Sequence, residues 1–217
     1  MNDTKPKVVV VGAGITGLCT ALALAKDGLP VTILERDAPP PTGGADQAFF
    51  EWNRRGAAQF RHPHAFLAVM SNLLQESFPG LIDDFFAAGA RKVSFEDMLS
   101  PEMVEDYKPE PGDEKMWLLM CRRATMETVF RRYAENQDLV TIESDTNVTD
   151  LLRHQEDGQI VVDGVTIQKR GEEPFDLHCD VLIDAAGRNS KLKVWLREEG
   201  GQIVTEDDDA EIVYFTR

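Results

Sequence analysis

Gly12, Gly14 and Gly17 stand in G-x-G-x-x-G spacing directly after the valine run Val8–Val11, and Glu35 lies 18 residues beyond Gly17. These residue types at this spacing suit the binding of a diphosphate and a sugar. Gly12 permits the tight turn out of a strand. Gly14 has no Cβ, so a pyrophosphate can approach the backbone. Gly17 lets a helix pack close to the strand. A helix beginning here offers unpaired N–H groups and about half a positive charge to an anion, which draws Ala13, Ile15 and Thr16 into the same site. An acid about 20 residues on accepts hydrogen bonds from ribose hydroxyls. A carboxylate at Glu35 would repel a 2′-phosphate, which weighs against NADP at this position.

The flanking elements are those such a site requires. Four valines in a row read as a strand buried on both faces. Residues 16–26 are rich in Ala and Leu and read as a helix. Gly28 suits the left-handed position after its end, and Pro30 forbids continuation. Residues 31–34 form a second strand ending at Glu35.

Glu35 followed by Arg36, in a unit at the N-terminus of the sequence, resembles the FAD-binding domain of flavoprotein oxidoreductases, the para-hydroxybenzoate hydroxylase-like FAD-dependent monooxygenases in particular. Three further stretches carry the resemblance. Trp52, Arg54, Gly56, Gln59, Arg61 and His64 form W-x-R-x-G-x-x-Q-x-R-x-x-H. The resemblance implies that this region folds over the cofactor, with Arg61 in contact and His64 facing flavin or substrate. Arg123 and Glu127 match an R-x-x-L-E element whose arginine reaches FAD, with Met126 in place of Leu. Asp184, Gly187 and Arg188, followed by Ser190, match a D-x-x-G-R-x-S element at a strand end; Ala185 and Ala186 depart from its strict D-G form, which leaves NAD(P)H as reductant open. The backbone near Val148 is implied to lie against the adenine. His62 and His64 do not make a metal site, since no acid or thiolate sits at ligand spacing and Pro63 separates them.

Composition bounds the function. The 217 residues are 42% hydrophobic and 28% charged, as in soluble globular proteins. No apolar run reaches the roughly 18 residues of a membrane span. The first strand begins at once, leaving no room for a signal peptide. Cys19, Cys121 and Cys179 contain no C-x-x-C and read as reduced, packed thiols of a cytoplasmic protein. A net charge of −15 argues against nucleic acid. It also opposes an anionic cofactor, but charges beyond about 8 Å are screened at physiological salt, so nearby arginines and the helix terminus decide.

Further along, residues 37–46 read as a loop. Phe66, Val69, Met70, Leu73 and Leu74 recur at helical spacing within a helix over 63–78, broken by Pro79-Gly80. A second short helix, 81–88, ends at Gly89. Residues 95–115 are acidic and read as an exposed excursion. Strands are expected at 116–120, 140–143 and 147–152, and a helix from Arg122 to about Glu135. Residues 160–162 and 164–168 alternate like the two arms of a hairpin, and 178–187 reads as a buried strand entering a glycine turn. Residues 195–201, an acidic run at 206–209 and an apolar strand at 212–216 follow.

The fold expected is α/β: a Rossmann-like parallel sheet with a small antiparallel β element inserted before its last strand. The resemblance implies an FAD-binding domain over 1–200, including the insert 38–115, and the start of a substrate domain over 201–217. Family members run to about twice this length. The expectation is therefore an FAD-dependent monooxygenase or its FAD-binding portion, acting on a small molecule together with a C-terminal half, a second chain or another copy of itself. The alternatives are a halogenase-like flavoenzyme, disfavoured because no W-x-W-x-I-P motif is present, and a non-catalytic FAD-binding subunit.

Overall fold

In the computed structural model, residues 5–204 are described. The expected acidic run at 206–209 and strand at 212–216 lie outside the described residues. Strand β1 (Val8–Val11) leads into helix α1 (Ile15–Lys26), and strand β2 (Val31–Leu34) follows. Gly12 turns at φ +103°, and Gly28 closes α1 at φ +82°. Gly17, Leu18, Ala21 and Leu22 form the buried stripe of α1, as its period dictates. Helix α2 (Ala45–Glu51), strand β3 (Pro63–Phe66), helices α3 (Ala68–Ser77) and α4 (Pro79–Ala87), strand β4 (Arg91–Val93) and the single turn α5 (Pro101–Val104) come next. Strand β5 (Leu118–Arg122), helix α6 (Arg123–Glu135), strands β6 (Val140–Glu143), β7 (Thr146–Glu156), β8 (Gln159–Lys169), β9 (Phe175–His178) and β10 (Val181–Asp184), and helix α7 (Leu192–Glu198) complete the order.

A parallel sheet runs β10-β1-β2-β6. Its two faces have different covers. Val8, Val10 and Ile33 pack with Leu18, Leu22, Met126 and Phe130 of α1 and α6. Val9 and Leu34 pack with Val165 and Ile167 of the antiparallel sheet β7-β8-β9. The continuous valine run is thus explained by burial on both faces. The antiparallel sheet is inserted between β6 and β10, where it was expected.

Several elements differ from expectation. The helix over 63–78 is two elements: Pro63–Phe66 is a strand paired with β5, and only Ala68–Ser77 is helical. Phe66 satisfies helical spacing with Val69 and Met70, but its burial comes from aromatic contacts with Phe85 and Phe130. The loop 37–46 gives way to α2 at Ala45. Strand 116–120 sits two residues later, where β3 and β4 pair with it from both sides. Residues 159–169 form one strand, not a hairpin. The turn lies earlier, at Asp157 and Gly158, both at positive φ, and β8 pairs along its length with β7. β10 is an edge strand, with Val181 42% exposed, rather than a buried one.

Candidate dinucleotide-binding groove

A groove of about 650 Å³ opens at the C-terminal ends of β1 and β2, a volume in the range of small-molecule sites and at the edge where open α/β sheets bind ligands. Gly12 and Gly14 form its floor with Ile15 and Thr16 of the first turn of α1. No side chain caps that helix, whose N-cap is Gly14. A Cβ on Gly14 would meet no atom within 4 Å, so the space beside this backbone is open for a ligand. A Cβ on Gly17 would lie 1.9 Å from the carbonyl oxygen of Gly12. Gly17 therefore serves close packing and does not line the groove. Ala13 is buried beneath the floor. Its N–H donates to Glu35 Oε2 at 2.9 Å and its carbonyl accepts from Arg54 Nη2 at 3.1 Å.

Glu35 and Arg36 line the end of β2. The other carboxylate oxygen of Glu35 accepts from the Asp37 N–H at 2.9 Å, so the side chain is rigidly presented. Val148, flanked by Asn147 and Thr149 of β7, forms the opposite wall, and Ala186 and Gly187 close the end near β10. The side chains lining the groove include four cations, Arg36, Arg54, Arg123 and Lys191, against three acids, Glu35, Asp37 and Glu127. Locally the groove is thus not acidic, although the chain carries −15.

Besides Ala13 and Gly17, three candidate residues lie outside the groove lining. Arg61 is exposed and absent from the groove; its guanidinium donates to the carbonyls of Phe49 and Phe50 at the end of α2. Asp184 is exposed and turned towards a separate cleft beneath α7, and its carboxylate accepts from the Ala186 N–H at 3.0 Å and from the Ser190 hydroxyl. It shapes the turn that presents Gly187. His64 is on a strand, paired in register with Cys121, and does not line the groove. Its Nε2 lies 3.5 Å from Arg123 Nη1.

The arginine that enters the groove from the 52–64 segment is Arg54. Its side chain is 6% exposed and makes ion pairs with Glu35 at 3.0 Å, Asp37 at 3.3 Å and Glu127 at 2.8 Å. Burial opposes its charge, but Glu35 and Glu127 prevail and hold its pKa above the usual guanidinium value. It also lies over the ring of Trp52, 4.9 Å from the centroid. Trp52 and Phe60 pack with Ala48 and Ala124 in a small cluster that folds this segment against α6. The sequence carries no signal that separates Arg54 from Arg61; the packing of Trp52 against α6 does so.

Burial, and then the charge of Arg123, push the His64 pKa below its ordinary value of 6.5. The folded chain then binds fewer protons than the unfolded one below about pH 6.5, so this residue makes stability fall as pH drops through that value. Wild type should lose more thermal stability than His64→Gln between pH 8 and pH 5. Melting curves of the two proteins that stay parallel over that range would refute this.

Among the described residues no helix is long and apolar enough to cross a membrane, and no cluster of ligating side chains could hold a metal. The three cysteines are unpaired, and burial raises Cys19 to about 12 and Cys121 to about 11, so neither is a ready thiolate.

Fold and groove together define an α/β domain with an open groove at the C-terminal ends of its parallel strands, the place where such sheets bind ligands. Residues 7–96 match the family described as FAD dependent oxidoreductase. Protein Rv3254 of Mycobacterium tuberculosis is 27% identical over 224 residues, covering 95% of this chain, which spans 43% of that protein's length. The fold is shared with p-nitrophenol 4-monooxygenase from Pseudomonas putida (17% identity, 88% of this chain and 43% of that one, TM-score 0.59). It is shared equally with the FAD-dependent myxobacterial chondrochloren halogenase (19% identity, 86% and 38%, TM-score 0.60).

Proposed function

We propose that this chain is the FAD-binding part of an oxidoreductase of the monooxygenase type, close in plan to the para-hydroxybenzoate hydroxylase-like enzymes. The observation that carries the reading is the open space over Gly14 at the uncapped start of α1, with the ordered Glu35 carboxylate at the neighbouring strand end. The match of residues 7–96 supports FAD rather than another dinucleotide. In this reading Gly12, Gly14, Ile15 and Thr16 hold the pyrophosphate and Glu35 the ribose hydroxyls. Arg36 and Val148 flank the adenosine, and Gly187 lies towards the far end. When bound, FAD supplies the redox and oxygen chemistry; the chain binds it, orients it and excludes water.

The domain extends to about residue 200, and a small-molecule substrate is taken up with elements from the remainder of a longer protein, a partner chain or a second copy. NAD(P)H is the proposed reductant, and the cytoplasm the proposed compartment. Titration of the purified protein with FAD, followed by the visible spectrum and by quenching of flavin fluorescence, tests the reading. Glu35→Ala should weaken binding tenfold or more, since charged hydrogen bonds contribute roughly 1.5–3 kcal/mol. Equal affinity in the two proteins would remove Glu35 from the ribose site.

A further inference from the structure

A single carboxylate, that of Glu127 on α6, holds both arginines that line the groove from its α6 side. It is 1% exposed. Its Oε2 accepts from Arg54 Nε at 2.8 Å and its Oε1 from Arg123 Nε at 2.8 Å. The two guanidiniums are otherwise employed differently. Arg54 gives Nη1 to Glu35 and Asp37 and Nη2 to the Ala13 carbonyl, so every nitrogen has a partner. Arg123 has one firm bond, the one to Glu127; its contact with His64 is at the 3.5 Å limit. Arg123 lines the groove, and its remaining N–H groups have no firm partner among the described residues.

We propose that Glu127 is a positioning residue for FAD binding, fixing Arg123 with its spare donors towards the bound cofactor, while Arg54 fixes Glu127. The inference rests on the FAD reading above. Its physical basis is pre-organisation. An arginine already immobilised by a buried anion loses less side-chain freedom when a ligand arrives than one that must be ordered at that moment. The backbone supports the same placement, because the Arg123 N–H donates to the His62 carbonyl at 2.9 Å and fixes the start of α6. Arg54 meanwhile contacts the glycine loop, the end of β2 and α6 at once. The orientation of Arg123 is therefore tied to the order of the rest of the groove.

Two variants separate position from charge. Glu127→Gln has a single acceptor oxygen and turns an NH₂ donor towards the second Nε–H, so it can serve only one arginine. Glu127→Asp keeps the charge that balances Arg54, and with it the fold, but withdraws the carboxylate from at least one partner. FAD affinity is measured by fluorescence across a salt series for wild type, both variants, Arg123→Gln and the double variant E127Q/R123Q. Arg123→Gln should weaken binding tenfold or more and flatten its salt dependence. Glu127→Asp and Glu127→Gln should do the same, and the double variant should bind within twofold of Arg123→Gln, because the two residues act as one unit. Wild-type affinity and salt slope in Glu127→Asp would overturn the proposal, as would a double-variant loss equal to the product of the two single losses. A wild-type protein without FAD affinity would overturn the FAD reading itself, and that result is visible before any variant is made.

Discussion

Arg54→Met should destabilise the protein by about 3–5 kcal/mol at neutral pH, the usual cost of removing one partner from a buried ion cluster. Glu35, Asp37 and Glu127 have side chains only 6%, 2% and 2% exposed, and Arg54 touches all three. Arg55 still reaches Asp37 and Arg123 still reaches Glu127; Glu35 keeps only backbone donors. Methionine is long and unbranched, so it fills most of the space and the loss isolates the charge. For a domain of this size the melting temperature should fall by roughly 6–20 °C. Calorimetry of variant and wild type at pH 7.5 checks this. A gap below about 1 kcal/mol would contradict this account of the cluster.

Gly17→Ala should cost about 3 kcal/mol or more in stability, at the severe end of overpacking. The new methyl would stand 1.9 Å from the carbonyl oxygen and 3.1 Å from the carbonyl carbon of Gly12. Neither atom can move aside freely. Gly12 is at φ +103°, and its own Cβ position is already 2.6 Å from the Ala185 carbonyl oxygen. The loop is therefore wedged between α1 and the turn after β10. Gly14 is the contrasting position. It has φ −78°, which any residue accepts, and open space where a side chain would go. Gly14→Val should leave the unfolding free energy within about 1 kcal/mol. It should weaken FAD binding tenfold to a hundredfold, roughly the worth of one charged hydrogen bond. A Gly17→Ala protein that melts with wild type, or a Gly14→Val protein that binds FAD as wild type does, would show that the two glycines have been assigned the wrong tasks.

The legible parts of this chain were those governed by local rules. β1, α1 and β2 lie within a residue of where glycine chemistry and hydrophobic runs put them, because each signal and its structural consequence are neighbours in sequence. The helix starting at Arg123 and the strand Val140–Glu143 were readable for the same reason. What was hidden is set by distant partners. Arg54, Arg55 and Arg61 are interchangeable to a reader of composition. Only the packing of Trp52 and Phe60 against α6 decides that Arg54 turns inward while Arg61 binds the end of α2. β4 has three residues, two of them exposed, and exists because β5 offers it an edge. Residues 160–162 and 164–168 read as two hairpin arms, yet Gly164 lies within the single strand β8, where a Cβ would come 2.2 Å from the Leu177 carbonyl oxygen. It marks the close approach of β9 instead.

The place of β1 between β2 and β10 has a kinetic consequence. Val8 is in register with Val31 on one side and Val181 on the other. A chain emerging from a ribosome can pair β1 with β2 early, but the opposite edge of its most apolar strand stays open until β10 has been made. Refolding must likewise close a loop of more than 150 residues before that edge is satisfied, a non-local step of the kind that slows folding and exposes intermediates to aggregation. Because Gly12 and Ala186 from the two ends of this loop line the same groove, an occupant of the groove would brace the last contact to form. Cofactor supplied during synthesis or refolding would then act on yield, before any question of turnover arises.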